Sequence, residues 1–137
     1  MKTSWGIVLA ALLVGCGSCP KLHETRADLL SKGIASPHLR LELRENVVAQ
    51  VNERPATLAL SWTEAKAIEI VIHDAAEGER LHRALPAASG ALTQIELAGD
   101  GHVVLPDGIY RLDATDPAAP SEHASVWFEV KHCTVYY

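Results

Sequence analysis

Seven histidines in 137 residues are the side chains best suited to chemistry in this chain, so their spacing comes first. His23 opens the string His-Glu-Thr-Arg-Ala, which begins like the helix of a zinc protease. That helix needs a second imidazole four residues on, so that both rings share one face. Position 27 is Ala, and the motif fails. His73, His82, His102, His123 and His132 follow no repeating ligand spacing. The acidic turn at 98–102 and Asp107, Asp113 and Asp116 offer carboxylate oxygens, but not in the alternate order, with a following Gly and a late Glu, that a calcium loop requires. Asp-Gly pairs are ordinary turn formers. Nucleophilic catalysis has no better footing: there is no Gly-x-Ser-x-Gly elbow and no Ser-x-x-Lys pair, and Ser61 and Lys66 stand five apart. His132 and Cys133 are neighbours, and neighbours in a strand point to opposite faces. No glycine-rich phosphate loop occurs. These residues predict a protein that is not an enzyme and that needs no metal or other cofactor. The alternative is a small ligand or metal carrier whose His and Asp side chains meet across a folded surface.

The cysteines carry a clearer signal. Residues 1–15, MKTSWGIVLAALLVG, place one lysine before an uncharged apolar run from Ile7 to Val14. The run is far short of the roughly 20 residues that span a bilayer as a helix. It has the charged start and apolar middle of a secretory signal. It ends Leu13-Val14-Gly15-Cys16, which resembles the lipobox of bacterial lipoproteins at all four positions. The resemblance implies a diacylglyceryl thioether on Cys16, cleavage before it and acylation of the new amine. The membrane would then be the first partner, since two or more acyl chains anchor a protein stably where one does not. Gly17 lacks the Asp of an inner-membrane retention signal. The expected location is therefore the cell envelope, at the outer membrane facing the periplasm or exported to the surface.

Without that leader the chain has 122 residues, and loss of Lys2 leaves eleven basic against seventeen acidic side chains, a balance of −6. Such a balance, with no basic face, argues against a nucleic-acid partner. With Cys16 lipidated, Cys19 and Cys133 remain in an oxidising compartment where disulfides persist. Two readings stand side by side. Either they pair and close a loop of more than a hundred residues, or Cys133 is a small core residue and Cys19 a free thiol in the tether.

The elements that must position these groups change period along the chain. Residues 21–33 read as a short helix, with Pro20 at its start, Leu22, Arg26, Leu29 and Leu30 on one face and Gly33 at its end. From Leu39 the pattern alternates, in LRLEL, TLALSW, IEIVIHD, LTQIEL, HVVL, IYRLDAT and SVWFEV, with turn residues between them. Seven to nine short strands at this spacing predict an all-β antiparallel sandwich. LALSW, IEIVIHD, LPDGIYRLDAT and SVWFEV are similar to strands B, C, F and G of fibronectin type III and related immunoglobulin-like domains. The resemblance covers 39–137 and implies a core role for Trp62, a plug at Leu105 and an aromatic opening strand F at Tyr110. The expected organisation is thus a signal peptide at 1–15, a lipidated tether at 16–38 and a sandwich domain at 39–137. With Val126, Phe128 and Val130 facing inward, Trp127 faces outward. Together with Tyr136 and Tyr137 it is the candidate partner surface, because exposed aromatics mark interfaces. The competing place for Trp127 is beneath the N-terminal helix. The function expected is a membrane-tethered binding or scaffold module for a protein or glycan partner.

Overall fold

Alternation of apolar and polar residues sends every second side chain to one face of a strand, and this chain uses that rule in two sheets. The computed structural model describes residues 25–52, 54–87, 92–98 and 104–133. They form one helical turn, α1 (Ala27–Leu30), and eight strands: β1 (Leu41–Leu43), β2 (Val47–Val51), β3 (Thr57–Trp62), β4 (Ile68–His73), β5 (Glu79–Leu85), β6 (Thr93–Glu96), β7 (Gly108–Asp116) and β8 (Ala119–Cys133). A three-stranded sheet has the order β1-β3-β6, and a five-stranded sheet the order β2-β8-β7-β4-β5.

One hydrophobic cluster joins the sheets. Leu58, Leu60 and Trp62 of β3 meet Ile68, Ile70 and Ile72 of β4, Tyr110 and Leu112 of β7, and Phe128 and Val130 of β8. Trp62 is buried as its phase predicts, and its indole Nε1 donates to the carbonyl of Lys66 at 2.7 Å. Leu105 and Tyr110 are buried as well. The Tyr110 ring stacks on Phe128 with centroids 5.7 Å apart.

The structure corrects the expected pattern in four places. The five-stranded sheet is mixed rather than antiparallel, because β2 pairs in parallel with β8 from Val47↔Glu129 to Val51↔Cys133. β2 and β5 are strands that alternation did not reveal. Val104 of HVVL makes only an isolated bridge to Ala98. Among the described residues the helix shrinks to the four residues of α1, with Leu29 buried but Leu30 exposed.

Candidate functional site

The segment before β1 is strapped along β8. Arg26 Nη1 donates to Glu129 at 2.8 Å, and its backbone N–H donates to the side-chain oxygen of the buried Asn46. Eight residues on, Ile34 exchanges two backbone hydrogen bonds with Ser125, each 3.0 Å. The Ser36 hydroxyl then accepts from the N–H of His123, and the N–H of His38 donates to Glu122. The strap therefore runs antiparallel to β8, and its first residues lie toward the Cys133 end. Paired with Asp28 first and Glu129 second, the Arg26 guanidinium is held well above its ordinary value and stays charged.

Between this strap, β1 and β8 lies an open cleft of about 300 Å³. Leu30 and Ile34 form its strap side, Leu41 and Leu43 its β1 side, and Val126 and Trp127 its third side. Trp127 is neither fully exposed nor covered: it is half-buried, with Lys32 Nζ 5.0 Å and Arg111 Cζ 5.8 Å from its ring centroid. Exposed cation–π contacts of this kind contribute roughly 0.5–1 kcal/mol each.

Beside Trp127 on the outer face of the five-stranded sheet is a polar network. Arg111 Nε reaches both oxygens of Asp113 at 2.9 and 3.0 Å, and its Nη1 reaches Glu77 at 2.9 Å. Bonding to Asp113 first, and to Glu77, raises Arg111 above its usual range. Asp113 also accepts from the Ser125 hydroxyl at 2.5 Å and stands 3.1 Å from His73 Nδ1. Serine, histidine and aspartate thus meet, but in an order that does not activate the hydroxyl. A serine nucleophile needs the imidazole as its base, with the carboxylate behind it. Here the carboxylate lies between them, and the hydroxyl proton points at Asp113.

The remaining histidines are dispersed. His38 lies by Glu64, His82 by Glu69 and His132 by Asp107, at 3.1 to 3.3 Å. His123 turns its Nδ1 toward the Ser121 carbonyl. Among the described residues no three His, Cys, Asp or Glu side chains gather at metal-ligand distance. Cys133 is disulfide-bonded. Cys16, Cys19, Tyr136, Tyr137, His23 and His102 lie outside the described residues. Sequence reasoning placed Trp127 on the outer face but missed Lys32 and Arg111 against it. It missed the cleft too, whose walls come from segments some ninety residues apart. No protein-family model matches the chain, and no curated protein matches it in sequence.

Proposed function

We propose that this chain is a non-catalytic, lipid-anchored binding module of the bacterial envelope, tethered through Cys16 and recognising a protein or glycan partner with its folded surface. The observation that carries the reading is the strap. Residues 26–38 run antiparallel along β8, which puts Arg26 at the end of the strap nearer the disulfide-bonded Cys133. A lipidated leader joined there keeps the domain close to the membrane. The non-catalytic part of the reading rests on Ser125, Asp113, His73 and Arg111 being committed to one another in an inactive order.

The domain itself is read as a fibronectin III-like or immunoglobulin-like sandwich. This reading is supported by the strand orders β1-β3-β6 and β2-β8-β7-β4-β5, which it would assign to sheets A-B-E and A′-G-F-C-C′ of such domains. The Tyr110 hydroxyl donates to the Pro106 carbonyl at 2.5 Å, which fits a tyrosine corner at the start of strand F. Fold alone assigns no role, because sandwiches of this kind host many.

Metabolic labelling with an alkynyl fatty acid tests the anchor. The expected result is label on the native chain, none on Cys16→Ala, and recovery with the outer membrane on fractionation. A mature native protein that starts at another residue and carries no lipid overturns the reading.

A further inference from the structure

We infer that the cleft between the strap, β1 and β8 receives a segment of a partner protein that carries a large apolar side chain beside a carboxylate. This rests on the reading of the chain as a binding module and names where and what it binds. The apolar half of the argument is exposure. Among the described residues the large hydrophobic side chains left in solvent are Leu30 at 57%, Ile34 at 54% and Leu92 at 42%, and the two most exposed stand at this cleft. Beneath them Leu29 and Leu41 are buried, and Leu43, Val126 and Trp127 are only partly covered. Apolar surface gathered in a concave site, with a few polar groups around it, is the usual form of a recognition site.

The charged half of the argument is complementarity. The whole chain carries a net charge of −5, and several of its described cations already hold carboxylates: Arg26 with Glu129, Arg44 with Glu45, Lys66 with Asp116, Arg80 with Asp74 and Arg111 with Asp113. Lys32 and Arg40 are exposed and make no ion pair among the described residues. Lys32 sits over Trp127, and Arg40 lines the cleft. Glu42 also lines it, so Arg40 and Glu42 offset each other on the wall, and the Lys32 ammonium over Trp127, with no ion pair among the described residues, is the source of positive field at the ring. A carboxylate on the partner gains from that field, and a lysine there is repelled. Size selects a peptide over a lipid. An open cleft of about 300 Å³ is at the small end of ligand sites, enough for one or two large side chains but not for enclosing a long acyl chain.

A random twelve-residue peptide library panned against the full mature chain in lipid nanodiscs tests this. Peptides placing Leu, Ile, Phe or Trp within three residues of Asp or Glu are expected to be enriched. Their affinity should fall at least tenfold for Lys32→Glu/Arg40→Glu and for Ile34→Ala, and stay within twofold for Arg54→Glu, a change outside the cleft. Lys32, Arg40 and Ile34 are all exposed, so the variants should melt with the parent, and a circular-dichroism melt checks that they fold. Enriched peptides that bind the charge-reversed variant equally well overturn the site while leaving the binding-module reading intact. Failure to enrich any peptide overturns the cleft proposal and leaves the binding-module reading standing with a glycan partner. Competition by dodecanoate, in place of acidic peptides, overturns the partner class. Loss of lipid from Cys16, by contrast, removes the tether and leaves the cleft proposal standing.

Discussion

Trp62 and Asp74 show two ways in which one side chain fixes this molecule. Trp62 fills the space between the sheets, and its one polar atom is satisfied by the Lys66 carbonyl, so truncation opens a cavity and strands that carbonyl. Trp62→Ala is expected to cost ~3–5 kcal/mol, read from the denaturation midpoint. A variant that melts within a degree or two of the parent would sink the core assignment. Asp74 acts at the surface. Its carboxylate accepts from Arg80 Nε at 2.8 Å and from the backbone N–H groups of Ala76 and Gly78 at 2.9 and 2.8 Å, closing the turn between β4 and β5. Arg80 first, then those N–H groups, hold its pKa below the ordinary carboxylate range. The unfolded chain titrates near ~3.9. The contribution of Asp74 is therefore full above that pH and is lost as pH falls through the lower folded value. Asp74→Asn should lower the urea midpoint at pH 7, and the gap should close below about pH 4. A gap that persists unchanged into acid would refute the ionic origin. Gly78→Ala probes the same turn from the other side, since a Cβ there would stand 3.1 Å from the Asp74 carboxylate.

At the scale of elements, the strap is the part most able to come away. α1 is a single turn, far too short to hold by helix propensity alone. It stays because Leu29 is buried and because Ile34 and Ser125 are paired. Leu→Ala at a buried site typically costs ~2–5 kcal/mol, and a short peripheral segment can open locally before the domain unfolds. Leu29→Ala should therefore speed hydrogen exchange at the Ile34 and Ser125 amides while leaving the β4 and β7 amides protected. Equal loss of protection in β4 and β7 would make the strap part of the global core instead. How much of these elements the sequence discloses depends on how each buries itself. β3, β4 and β7 bury alternate apolar residues, and their period reads directly. β2 hides because Val47 and Val48 are both buried and Gln50, also buried, breaks the apolar series with an amide that donates to the Asn52 and Arg54 carbonyls. β5 hides because, as an edge strand, it buries only Leu81 and presents Glu79, Arg80 and His82 to solvent, the charged dress of a guarded edge. The parallel pairing of β2 with β8 leaves no local mark, because its partners are some eighty residues apart. The cleft and the Arg111–Asp113–His73 network were illegible for the same reason.

At the scale of the whole molecule, the question is what the disulfide at Cys133 ties down. The sequence offers Cys16 and Cys19 as partners. Chain length permits either. Arg26 is fixed beside Glu129, four residues before Cys133 on β8, a distance of about 13 Å at the rise of a strand. The seven residues from Cys19 to Arg26 extend up to ~25 Å, and those from Cys16 farther still. The proposed lipid would decide between them, because a thioether on Cys16 would leave no thiol there to oxidise. With Cys19 the partner, the acyl chains sit three residues from a crosslink to the last strand. The Cys133 end of the domain then stays near the bilayer. The bridge closes a loop of over a hundred residues, and in the chain-entropy account a 100-residue loop contributes up to ~4.7 kcal/mol. Denatured, unreduced native protein should accordingly contain no free thiol. The same chain made without lipidation should contain one, mapped by mass spectrometry to Cys16. Cys19→Ser should release the Cys133 thiol, lower the melting temperature, and leave the lipid label on Cys16 in place. Recovery of a Cys16–Cys133 linked peptide from the native protein would defeat both the pairing and the anchor together, since one sulfur cannot carry both bonds.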